Sequence, residues 1–232
     1  MQPANTSTDS VISFRNILTH IVSDRLVHAR FLNTLSFMEH VGATKIAKTQ
    51  SGQEANFTSL KHAAEEARHA FYLKKLSLKL QPDACPNYND AFLLAPIPSR
   101  QYLYRLDVAA SRLAKNAGYS GRGLHDLAYL LVTYAIEVRA DELYPVYEEF
   151  LDDMPDERLS VQSIIAEETG HLAEMETALA SYPSEVRAMM DEICRMENNL
   201  FVAWLQALES NLQNILVTFP TQSGNFGSNS AN

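Results

Sequence analysis

Residues 59–80 read SLKHAAEEARHAFYLKKLSLKL, and residues 164–180 read IIAEETGHLAEMETALA. Each stretch holds a Glu-Glu-x-x-His block: Glu65-Glu66-Ala67-Arg68-His69 and Glu167-Glu168-Thr169-Gly170-His171. Apolar residues recur around both blocks at helical spacing, so both are read as helices. On a helix, Glu66 and His69, and likewise Glu168 and His171, stand one turn apart on one face and can hold one metal centre. Chance supplies on the order of half a Glu-x-x-His per chain of this composition, so one block alone carries little weight. Two blocks, each on the second helix of a helical pair, carry more.

Working outward, each block has a partner helix with a lone carboxylate in an apolar setting. Glu39 sits in Phe37-Met38-Glu39-His40, and Glu137 follows Leu130-Leu131-Val132. Burying such a group unpaired costs several kcal/mol, which bound cations would offset. Depth supports the grouping. At the helical rise, Glu39 lies ~18 Å from the turn near Ser51 and Glu66 ~22 Å back from it. Glu137 lies ~25 Å from the turn near Met154 and Glu168 ~21 Å back. All four therefore fall at one level.

The periodicity predicts helix one over Val11–Lys48, ended by Ser51-Gly52, and helix two over Glu54–Leu80. A Pro-rich connection follows, with Ser99 as N-cap of a shorter helix reaching Lys115. Helix three runs from Gly123 to Leu151, and Asp152-Asp153-Met154-Pro155 forms a turn with Pro155 at the start of helix four. Helix four reaches Tyr182, and a last helix runs from Ser184 to Val217. No strand pattern competes. The expected fold is all-α, a four-helix bundle of two antiparallel hairpins joined by a long crossover lying outside the core, with additional helices. Residues 1–10 and 219–232 are polar and are expected to be disordered, leaving 11–218 as the helical domain.

The chain has 232 residues, 46 % hydrophobic and 20 % charged, with a formal net charge of −9. That charge and the lack of a basic run argue against nucleic-acid binding. Cys85 and Cys194 form no CxxC pair, which excludes a zinc ribbon or rubredoxin centre. Neither a secretory signal nor an apolar run of ~18 residues is found, so a cytoplasmic location without a membrane span is expected.

The order Glu39, Glu66-x-x-His69, Glu137, Glu168-x-x-His171 resembles the ferritin-like di-iron carboxylate superfamily, over about residues 11–181. In size and ligand order the chain looks like the small di-iron oxygenases, aldehyde-deformylating oxygenase among them. The resemblance implies two iron ions, or manganese or a mixed pair, with Glu66 and Glu168 bridging and Glu39 and Glu137 mainly terminal. It implies O2 and an organic small molecule as reactants, an external electron donor, and the possibility of a homodimer. Bacterioferritin-like iron storage and a rubrerythrin-like peroxidase use similar ligands. The rubrerythrin pattern has an extra Glu one turn along helix three, where this chain has Ala140, and it adds rubredoxin cysteines.

Other residues near the blocks have two readings each. Glu65 and Glu167 are expected to face solvent, since neighbours at i, i+1 point to different faces. His40 is expected to be structural. His62 and Asp141 are either supports of the ligands or surface and packing residues. Tyr134 is a redox neighbour or packing, and Leu35, Met38, Tyr134 and Ile136 are pocket neighbours or core. The small residues Gly42 and Gly170 signal either open space or close helix packing.

Overall fold

The computed structural model describes residues 6–49, 56–154 and 158–218. Among them the chain is all-α: α1 (Thr6–Val22), α2 (Arg25–Thr49), α3 (Phe57–Leu80), α4 (Pro96–Asn116), α5 (Gly121–Asp152), α6 (Gln162–Ala180) and α7 (Glu185–Thr218), with one 3-10 turn at Asp90–Phe92. No strand occurs among the described residues. None of their helices is long and apolar enough to cross a membrane.

The single helix expected over Val11–Lys48 is two. Ser23 donates to the His20 carbonyl and closes α1, and Asp24 Oδ1 accepts from the amides of Leu26 at 2.9 Å and Val27 at 3.0 Å. An aspartate in that position is an N-cap, and it restarts the chain as α2. α1 begins at Thr6, inside the stretch expected to be disordered; residues 1–5 and the tail from 219 lie outside the described residues. So do Ser51, Gly52 and Pro155.

Two other starts differ from expectation. α4 begins at Pro96, after Ala95 in the left-handed region (φ 43°). Ser99, expected as its N-cap, is buried inside the first turn. Its hydroxyl donates to the Leu94 or Ala95 carbonyl and accepts from Trp204 Nε1 at 2.8 Å. α6 begins at Gln162, where Glu148 of α5 accepts from the Val161 amide at 2.5 Å and from Ser160 Oγ at 2.6 Å. A carboxylate from the preceding helix thus supplies the start that Pro155 was expected to supply.

Hydrogen bonds fix the pairing of the helices. Ser36 donates to the Ala70 carbonyl and Ser77 to the Ala29 carbonyl, so α2 and α3 run antiparallel. The Glu148–Val161 and Thr169–Asp141 bonds do the same for α5 and α6. The remaining helices complete the core. Phe14, Leu18 and Ile21 of α1 pack with Phe31 of α2 and with Phe201 and Trp204 of α7. Leu106, Ala110 and Ala114 of α4 pack with Leu127 and Leu131 of α5 and Ile193 of α7. Contrary to expectation, the crossover does not lie wholly outside the core; its helix α4 builds part of it. The reason is the apolar face that Tyr102, Leu106, Ala110 and Ala114 make at helical spacing.

Candidate metal centre

Four helices bring the six expected side chains together: Glu39 on α2, Glu66 and His69 on α3, Glu137 on α5, and Glu168 and His171 on α6. They form two overlapping groups. Glu39, Glu66, His69 and Glu168 each place one ligand atom within 4.8 Å of the others, and so do Glu66, Glu137, Glu168 and His171. Glu66 and Glu168 belong to both groups. All but Glu39 are buried, and Glu39 is half-buried because it opens onto a cavity.

Four carboxylates this close repel one another. Burial, and then the neighbouring Glu39 and Glu168 charges, hold the Glu66 carboxyl well above its ordinary range. Glu137 is likewise raised, by burial and then by Glu168. Burial also raises Glu39. Glu168 goes the other way: burial opposes ionisation, but His171 and His69 beside it outweigh that cost and lower it. Against its own burial, His69 is pushed up to about 9, chiefly by Glu168. The group is a negative cluster whose only internal compensation is two imidazoles.

The outer partners correct one expectation. Glu65 and Glu167 do not simply face solvent. Glu167 of α6 lies 2.7 Å from His69 Nε2 of α3, and Glu65 of α3 lies 2.8 Å from His171 Nε2 of α6. Each block thus lends its first Glu to the His of the other. The position before a ligand-facing residue on a helix is turned by ~100°, which at an interface between helices reaches the neighbouring helix and not only water. Arg68 holds Glu167 from outside at 2.5 Å.

His62 is buried, bonds Glu174 of α6 at 2.8 Å, and lies with its ring 4.4 Å from that of His171. Asp141 meets Thr169 and not a histidine. His40 is exposed and stacks on Tyr88. Tyr134 packs against the core cluster that α4, α5 and α7 share and does not line the cavity. A residue missed from the sequence is Tyr144, whose hydroxyl donates to Glu39 Oε1. Its place two turns after Glu137 was the available signal, obscured because Pro145 follows it.

The donor set fits metal ions. Nε2 of each His faces a carboxylate of the neighbouring helix, and each Nδ1 faces into the cluster, that of His171 at 3.2 Å from Glu168 Oε2; with Nε2 as the donor, Nδ1 is free to ligate a cation. His69 Nδ1 lies 3.0 Å from Glu168 Oε1 yet makes no hydrogen bond, and buried Glu137 Oε2 has no hydrogen-bond partner. A cation in the cluster would offset the repulsion among the four carboxylates, which the two imidazoles offset only in part. Carboxylate and imidazole donors suit iron or manganese.

Glu39, Glu66 and Glu137 form part of the wall of a cavity of ≈ 430 Å³. Leu35, Met38 and Ile136 line it, as expected of pocket neighbours. Gly42 also lines it, where an added Cβ would lie 4.0 Å from Glu66 Oε2. Gly170 is exposed with nothing within 4 Å of such a Cβ, so helix packing does not explain it. The site thus joins a buried carboxylate–imidazole cluster to a largely apolar cavity, in an all-helical chain that no family model, no curated protein and no solved structure matches.

Proposed function

We propose that the chain is a non-haem di-metal oxidoreductase of the ferritin-like di-iron carboxylate type, which uses O2 to oxidise a largely apolar small molecule. The observation that carries this reading is the opening of Glu39, Glu66 and Glu137 onto an apolar cavity. A storage site needs an ion path, and a peroxidase needs access for peroxide only. A cavity of this size and lining suits an organic ligand. The overlap of the two groups at Glu66 and Glu168 supports bridging roles for them and terminal roles for Glu39 and Glu137.

Two iron ions, or manganese or a mixed pair, would supply the reduction of O2, with electrons from an external donor. The chain's own residues do the rest. Glu65 and Glu167 fix the tautomer of His171 and His69 and aim Nδ1 inward. Tyr144 holds Glu39 in one rotamer. Apolar walls keep bulk water from the reacting position and orient the substrate.

The test is metal content after anaerobic iron loading, followed by O2 uptake on reduction. Two metals per chain are expected, with lower occupancy in His69→Ala and His171→Ala. Storage of many irons per chain in a cage would favour the ferritin-like alternative. Rapid peroxide turnover with no organic substrate would favour the peroxidase.

A further inference from the structure

Helix α3 has two apolar faces. One meets α2 and the carboxylate cluster. The other is open: Phe57, Leu60, Ala64, Ala67, Phe71 and Leu78 are all exposed, Phe57 by 83 % and Phe71 by 70 %. Steps of three and four residues, interrupted only at Lys75, lay them in one stripe ~32 Å long. Of the eight large hydrophobic side chains exposed among the described residues, four lie here, and the others are scattered over α1, α2 and α4. A concentrated apolar patch of this kind marks a contact surface.

Beside it, α6 carries a stripe of the same spacing and the opposite size. Ser163, Ala166, Gly170, Ala173, Thr177 and Ala180 are exposed, and none is larger than Thr. Glycine weakens a helix, yet nothing within the chain uses the room that Gly170 leaves. Ion pairs of one sense close the seam between the stripes. The cations Lys61 and Arg68 come from α3, and the anions Glu174 and Glu167 from α6, each pair at 2.5 Å. These pairs also set the levels of the two antiparallel helices. To within a residue, Phe57 stands level with Thr177, Ala64 with Gly170, and Phe71 with Ser163.

We propose that a second copy of this chain docks on this face, about a two-fold axis running along the helices over the seam, so that α3 of each copy lies on α6 of the other. Such a rotation keeps every level. Phe57 and Phe71 then sit over Thr177 and Ser163 of the second copy, and the backbones come closest where Ala64 meets Gly170. Protruding residues meet small ones, and each contact occurs twice, as a two-fold requires. Charge selects the same arrangement. Lys61 falls over the second copy's Glu174, and Arg68 over its Glu167, so each ion pair meets its own inverted image. The rival two-fold, α3 on α3, sets Lys61, Arg68 and Lys75 against the same three cations, which repels. The area suffices. A face ~30 Å long and two helices wide gives ~600 Å² on each copy, ~1,200 Å² in all, the lower end for a specific stable contact. Nothing in the proposal needs the metals.

Sedimentation equilibrium of the full chain tests it. A dimer that dissociates on dilution is expected; a chain that stays monomeric at its highest soluble concentration would overturn the proposal. Phe71→Ser enters the contact twice, so ~30-fold weakening at each site becomes ~1,000-fold for the dimer. Gly170→Gln separates docking from folding. Within one chain it faces open space and favours the helix, so helical content and the denaturation midpoint at high dilution should hold or rise. The dimer should nevertheless be lost, and its survival in both variants would overturn the proposal.

The register has its own measurement. Oxidation of an equimolar mixture of Phe57→Cys and Thr177→Cys chains should give a covalent dimer holding one of each. Either chain alone should give none, as should the unsubstituted chain, whose Cys85 is buried and Cys194 half-buried. A dimer in solution that yields no mixed cross-link would overturn the placement of α3 on α6.

Discussion

Glu137 and Arg139 lie two positions apart on α5 and anchor two buried polar clusters of opposite character. Around Arg139 every charge is answered. Its guanidinium makes bidentate contact with Glu197, at 2.7 to 3.2 Å, bonds Glu142 at 2.6 Å and Asn198 at 3.0 Å, and lies over the Phe201 ring. Tyr102 adds a further donor to Glu197. Around Glu137 the carboxylates outnumber their partners, and one of its oxygens bonds nothing. A self-sufficient cluster fastens α5 to α7. An unbalanced one has a use for something brought from outside. The contrast separates a structural network from a site more surely than burial, which the two share.

The comparison can be broken at several points. The largest effect is expected at the balanced cluster. Glu197→Leu strands the Arg139 charge and should cost about 3–5 kcal/mol of stability, read by chemical denaturation. Adding Arg139→Met should recover much of that loss. Metal loading comes next. At a free metal concentration a thousandfold above Kd, the gain is ~4 kcal/mol, seen as a rise in Tm of roughly 10 °C that a chelator reverses.

Glu137→Gln should act in the opposite sense to Glu197→Leu: the metal-free protein becomes more stable by ~1–2 kcal/mol at neutral pH while metal binding falls. The sign in pH follows from the raised carboxyls of Glu66 and Glu137. Their protonated forms favour the folded state, fully so below about pH 4.3, where the unfolded carboxyls are also protonated. As pH rises past that point, unfolding lets them ionise, and metal-free stability declines. Glu137→Gln should flatten that decline. The effect confined to metal binding concerns Glu65→Gln and Glu167→Gln, each expected to weaken it 10–100-fold with little change in metal-free stability. Equal loss of stability in all these variants would erase the distinction between the clusters.

Much of this was legible in the sequence because helical spacing converts position into direction. Glu66 with His69 and Glu168 with His171 follow from a single turn, and the level of Glu39 and Glu137 follows from counting residues to the nearest break. What was hidden depends on contacts between helices. The restart at Asp24 is a local cap inside an apolar run that otherwise reads as continuous. Neither the carboxylate of Glu148 at the start of α6 nor the reach of Tyr144 to Glu39 has a spacing that announces it. The role of α4 in the core was present in its own periodicity, masked by the prolines before it.

The exchanged pairs Glu167–His69 and Glu65–His171 have a consequence for assembly. The hairpin α2–α3 holds Glu39, Glu66 and His69 but borrows Glu168 for its group and Glu167 for its imidazole. The hairpin α5–α6 borrows Glu66 and Glu65 in return. Neither half is a complete chelator, so tight metal capture, on the proposed reading, would be a coincidence signal that both halves have docked in register. A nascent or misdocked chain offers only partial sites, and bound ions would act as a latch that closes only on the finished product.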